Sequence, residues 1–131
     1  MSALETDPVA DLLRGVPFFA GLERVDLARL LGALEQVRAG PGQVIAREGS
    51  QGDALYLLER GRVAITVASP DGEVSLREVS GPTHFGELGM LLARRTATTR
   101  AITEVVAWRL PRARFEALVR DRPQIALAVA A

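Results

Sequence analysis

The chain has no cysteine, no lysine and a single histidine, His84, in 131 residues. Without cysteine there can be no disulfide, thiol nucleophile, iron–sulfur cluster or cysteine zinc site. One imidazole cannot build a multi-histidine metal centre, so no metal is expected. Charge of one sign is also missing. Sixteen basic and sixteen acidic residues give a formal net charge of zero, so nothing global draws the chain to nucleic acid or to an anionic membrane. No uninterrupted apolar run reaches the ~18 residues that a membrane-spanning helix needs. The first residues, MSALETDP, lack the basic-then-apolar pattern of a signal peptide, and a cytoplasmic location is expected. All sixteen basic residues are arginine, a bias expected of a GC-rich, bacterial genome.

What remains is ordinary for a folded domain: 48% apolar and 24% charged residues, and a length that suits one domain with one modest core. The first 39 residues read as helical. Leu27, Leu30, Leu31, Leu34 and Val37 fall on one face at helical spacing. Val16-Pro17-Phe18-Phe19-Ala20-Gly21 interrupts this as a short helix or turn that docks two phenylalanines. At Gly40-Pro41-Gly42 the pattern changes. From there to Leu110, short apolar stretches alternate with turn residues, among them Gly61, Pro70-Asp71-Gly72 and Gly81-Pro82. Evenly spaced short strands predict a sandwich, jelly roll or barrel. Pro111 suits a first helical position. Phe115, Leu118 and Val119 then form an apolar face, and Pro123 to Ala131 start another helix. The expected architecture is α+β. An antiparallel β-roll (jelly roll) of about eight strands over residues 40–110 lies between helical segments at 1–39 and 111–131, all in one domain.

The segment richest in chemistry is Phe85-Gly86-Glu87-Leu88-Gly89-Met90-Leu91-Leu92-Ala93-Arg94-Arg95-Thr96-Ala97-Thr98. Residues 87–92 are long enough for one or two helical turns. Gly86 just ahead of them allows backbone to approach a ligand closely. The unpaired N–H groups and positive dipole end of such a turn suit a phosphate. Arg95 adds a planar guanidinium that can take two phosphate oxygens and stays charged when buried. Glu87 is an acceptor fit for a sugar hydroxyl. One phosphate and one ribose hydroxyl can thus be held within ten residues. Nothing in the chain pairs a nucleophile with a base, so no enzyme activity is expected.

FGELGMLLARRTAT resembles the phosphate-binding cassette of the cyclic nucleotide-binding domain family. IAREGSQGDALYLLERGRVAI resembles the same family's strand–turn–strand glycine pattern. GVPFFAGL and AWRLPRARFEALVRDRP resemble its flanks, so that the similarity runs from about residue 12 to residue 131. The resemblance implies that Glu87 accepts the ribose 2′-hydroxyl and that Arg95 pairs with the cyclic phosphate. It implies that Gly86, Leu88, Thr96 and Ala97 give backbone N–H groups or close packing around sugar and phosphate, with Thr96 also able to reach a guanine held syn. Ile65, Leu76 and Val79 become the apolar wall beside the base, while Gly49, Gly52 and Gly61 serve turns. The ligand implied is cAMP or cGMP. The function implied is a regulatory sensor that signals through its terminal helices to an output domain or partner protein, with no nucleic-acid contact of its own. Three departures accompany the match. The interval from Glu87 to Arg95 is about one residue shorter than in kinase and channel members. Pro82-Thr83 stands where the family usually has Gly-Asp. The family's long C-terminal lid helix is expected to be cut short at Ala131. These departures motivate the alternative of an interaction module that keeps the fold without nucleotide.

Overall fold

The computed structural model describes residues 7–19, 21–49, 54–86 and 97–123. Helix α1 (Pro8–Arg14) and a 3-10 turn (Pro17–Phe19) are followed by α2 (Arg24–Ala33). Eight strands come next: β1 (Glu35–Ala39), β2 (Val44–Ala46), β3 (Ala54–Arg60), β4 (Arg62–Ser69), β5 (Gly72–Ser80), β6 (Thr83–Phe85), β7 (Thr98–Ala101) and β8 (Val105–Pro111). Helix α3 (Arg112–Asp121) closes the described chain. The strands form two four-stranded sheets, in the orders β1-β8-β3-β6 and β2-β7-β4-β5, and every pairing is antiparallel. This is the expected α+β roll.

The local reasons are visible in the sequence. Asp7 caps α1, its carboxylate accepting from the Val9 amide at 2.8 Å, and Pro8 occupies a position whose N–H would have had no helical partner. Strand β3 is buried at every position from Ala54 to Leu58, which explains its unbroken apolar run. One face, Leu55 and Leu57, packs under the helices with Val9, Leu13, Phe19, Leu27, Leu30, Leu110, Phe115 and Leu118. The other face, Ala54, Tyr56 and Leu58, fills the roll interior with Val63, Phe85, Ala101, Val105 and Ala107.

Two boundaries differ from the sequence expectation. The helical reading through residue 39 is too long. Helix α2 stops at Ala33, Leu34 is already extended with ψ 142°, and residues 35–39 pair with β8 from Glu35↔Arg109 to Ala39↔Val105. Leu34 and Val37 match a helical face because three-residue spacing also occurs by chance across a helix–strand junction. The roll therefore begins at Glu35, before Gly40. Pro111 ends β8 and caps α3, and Arg112 is the first helical residue. The second helix expected over 123–131 falls almost wholly outside the described residues, as do Gly52 and the cassette helix at 87–92.

Charge ties α2 to the end of α3. Arg29 of α2 meets Asp121 of α3 at 2.6 Å. Arg122 reaches Glu23 at 3.2 Å and Asp26 at 3.3 Å. Asp26 is only 2% exposed, so its carboxylate depends on this partner for compensation. A different constraint holds the β3–β4 connection. Gly61 has φ +102°, and a Cβ placed there would lie 2.3 Å from the Glu104 carbonyl oxygen.

Three outcomes are expected in urea denaturation. Gly61→Ala loses about 2 kcal/mol or more, from backbone strain and the clash together. Arg122→Ala loses about 1–3 kcal/mol by stranding Asp26. The Asp26→Ala/Arg122→Ala double variant falls short of the sum of the single losses, because the two side chains share one interaction.

Candidate nucleotide site

The region that carries the expected cassette is framed by two strands in different sheets. On the entry side, β6 pairs with β3, Phe85 opposite Tyr56. Their rings stack with centroids 5.0 Å apart and planes 8° from parallel, and both side chains are buried. This stack fixes where the chain leaves the sheet. Gly86 follows with φ +89°, a left-handed conformation that glycine adopts without penalty. Glu87, Leu88, Arg95 and Thr96 lie outside the described residues. The chain returns at half-buried Ala97 and enters β7, where Thr98 pairs with Thr66 of β4 and Thr99 with Ile65.

The exit side is held by polar contacts. The Glu48 amide donates to Thr98 Oγ1 at 2.9 Å, and the Glu48 carboxylate accepts from the Ala68 amide at 2.9 Å. The Thr66 hydroxyl donates to Glu73 at 2.5 Å. Arg100 bridges Glu73 at 3.1 Å and the Gly42 carbonyl at 2.9 Å. Thr66, Thr98 and Arg100 share the outer face of their sheet, since directly paired residues point the same way: Thr66 pairs with Thr98, and Ala64 with Arg100. The hydrogen bond from Thr66 is the largest influence and lowers the Glu73 pKa from its ordinary value; desolvation opposes it, and the charge of Arg100 adds to the lowering.

The apolar wall expected from Ile65, Leu76 and Val79 lies on β4 and β5. Val63↔Val79 and Ile65↔Arg77 pair directly, after which the register shifts and Thr66 pairs with Ser75. Ile65 and Val79 are half-buried and pack on the roll interior. Leu76 is the extra, unpaired residue of the shift and is 59% exposed. Val74 is 47% exposed. The roll thus has an open mouth here, beside the strand on which the cassette ends. Arg77 occupies a position that sequence reasoning did not place. It stands opposite Ile65 and has no hydrogen-bond or ion-pair partner among the described residues. The bulge hides it, because strict alternation along Val74, Leu76 and Val79 already fails between Leu76 and Val79.

Residues 36–122 match the cyclic nucleotide-binding domain family. The chain belongs to that family. It is 34% identical over 117 residues to the CRP-like cAMP-activated global transcriptional regulator of Mycobacterium tuberculosis, covering 88% of this chain and 52% of that protein. The chain thus spans about half the length of this curated relative. Among solved structures, it superposes with a TM-score of 0.79 on the N-terminal domain of a transcriptional regulator from Streptomyces coelicolor A3(2), at 34% identity over 92% of this chain and 85% of that one. It superposes with a TM-score of 0.78 on the regulatory domain of Toxoplasma gondii PKA in complex with cAMP, at 28% identity over 85% of this chain and 43% of that one. In this cyclic nucleotide-binding domain, no group of three histidine, cysteine, aspartate or glutamate side chains that could hold a metal occurs among the described residues. No described helix is long and apolar enough to cross a membrane.

The depressed Glu73 pKa sets a pH response. A carboxylate whose native pKa is lowered contributes stability in full above its unfolded value, near 4.3. That contribution drains away as pH falls through the native value. Thermal unfolding followed between neutral and acidic pH is expected to show part of the acid loss below about pH 4 disappear in Glu73→Gln.

Proposed function

We propose that this regulatory domain is a cyclic nucleotide sensor for cAMP or cGMP. The observation that carries the reading is the frame: Gly86 and Ala97 stand on facing sheets at the open mouth of the roll, with the cassette sequence between them. Glu87 accepts the ribose 2′-hydroxyl, and Arg95 pairs with the exocyclic oxygens of the cyclic phosphate, where a guanidinium can take two oxygens at once. Backbone at Gly86, Leu88, Thr96 and Ala97 closes around sugar and phosphate. Ile65, Val79 and the exposed Leu76 offer apolar surface to the base. The printed description of the T. gondii relative, a regulatory domain with cAMP, supports the same ligand class.

The domain does no chemistry of its own. It acts in the cytoplasm by population shift. Nucleotide favours one packing of the terminal helices, and it shifts that equilibrium only by its difference in affinity for the two packings. The ordered cassette, with Leu88, Met90 and Leu91, passes the change to residues 111–131. The output is a further domain or a partner protein.

Calorimetric titration with cAMP and then cGMP tests the reading. Binding by the parent chain is expected to weaken about 10–100-fold in Arg95→Ala, since a hydrogen-bonded charge contact contributes about 1.5–3 kcal/mol. The ratio of the two parent affinities names the second messenger. Absence of binding to either nucleotide overturns the reading in favour of a nucleotide-independent interaction module.

A further inference from the structure

A cleft lies at the end of the roll opposite Gly86. Strand β3 runs from Ala54 to Arg60, and β6 pairs with it from Leu58↔Thr83 to Tyr56↔Phe85. Gly86 therefore emerges at the Ala54 end, and Arg60 marks the opposite one. There the register places three residues in one row across three strands, Arg38↔Val106 and Arg60↔Val106. Paired residues share a face, and this face is the outer one, because neighbouring Val105 and Ala107 fill the roll interior. Val106 is only 8% exposed, although it belongs to neither hydrophobic cluster. The two arginine stems stand two strand spacings apart, about 10 Å, on either side of it. Together with Ala39, Gly40, Gln43, Glu104 and Val105, these three residues line a cleft of about 480 Å³.

Among the described residues, neither arginine meets a carboxylate as closely as several others do. Among the described residues, Arg38 Nε donates to the Gln36 amide oxygen alone, at 3.3 Å. Arg60 Nε lies 3.8 Å from Glu59, whose carboxylate already accepts from the Trp108 indole at 2.8 Å. By contrast Arg29, Arg62, Arg100, Arg112 and Arg122 each meet a carboxylate at 3.3 Å or less. Two guanidinium groups carried on either side of Val106, with no carboxylate nearer than 3.8 Å among the described residues, can take anion oxygens from both sides.

We infer that the Arg38–Arg60 cleft is a binding site for a diphosphate group, separate from the nucleotide cassette. A diphosphate presents non-bridging oxygens at both ends, so each guanidinium can take a pair of them. Two guanidinium charges exceed the single carboxylate, Glu104, that lines the cleft, which leaves it net attractive to an anion.

Inorganic pyrophosphate is the probe, titrated into the 131-residue chain at physiological ionic strength while the arginine Nε–H signals are followed by NMR. Saturable shifts at Arg38 and Arg60 are expected. Affinity is expected to fall at least tenfold in Arg38→Ala and in Arg60→Ala, to rise several-fold in Glu104→Gln, and to stay unchanged in Arg95→Ala. Both arginines are exposed, so their removal leaves the fold intact, which thermal unfolding checks. Absence of shifts at the two arginines, or affinity indifferent to both substitutions, overturns the inference. So does affinity lost with Arg95→Ala, which would put the pyrophosphate in the cassette. Failure of cyclic nucleotide binding leaves this result untouched, because the two sites share no residue.

Discussion

The double burial of β3 is the constraint on which the rest of the structure depends. Five consecutive residues, Ala54 to Leu58, are closed off from solvent on both faces. Leu55 and Leu57 hold the helices, while Tyr56 and Leu58 hold the roll. A side chain lost from either face would cost its own burial and leave a cavity between layers that cannot collapse freely. The same strand sets the site. Tyr56 fixes Phe85 by stacking, Phe85 fixes β6, and β6 fixes the point at which the chain departs through Gly86. The helical layer and the cassette entrance are thus opposite faces of one strand, a short physical path between the candidate ligand site and the terminal helices.

Those helices are themselves joined by chemistry of another kind. The N-terminal layer meets the C-terminal one through the Phe19–Phe115 ring contact, 6.0 Å between centroids, and through the arginine–carboxylate pairs around Asp26 and Asp121. An apolar contact tolerates sliding, whereas an ion pair with one buried carboxylate prefers a single geometry. The end of α3 is thus registered on α2 by charge and its middle packed by an apolar contact.

Much of this architecture is legible in the residues alone. The turn at Pro70-Asp71, the glycines at 49 and 61, and the alternation of Val63, Ile65 and Val67 each have one physical reading, and the roll follows from them. The match to the cassette motif was equally open to sequence, because its glycine, carboxylate and arginine occur at a spacing that carries chemistry. Two things were hidden. The start of β1 was masked by an accidental helical period across Leu34, since side-chain spacing cannot distinguish a helix from a helix followed by a strand over so few residues. The position of Arg77 was hidden by a bulge, which depends on pairing between β4 and β5 and leaves no mark on either strand read alone. The Arg38–Arg60 cleft is of the same kind: residues 22 positions apart share one cleft because both pair with Val106.

Strand β5 is the outer member of its sheet, and of its nine residues only Val79 is even half-buried. A long, exposed strand edge carrying Val74 and Leu76 is a template onto which another chain could add a strand. Here the template is spoiled. Glu73, Arg77 and Glu78 place charges along it, and the unpaired residue at Leu76 breaks the regular ladder in its middle. The mouth of the roll can therefore keep apolar side chains in water without inviting the molecule to polymerise through its own sheet.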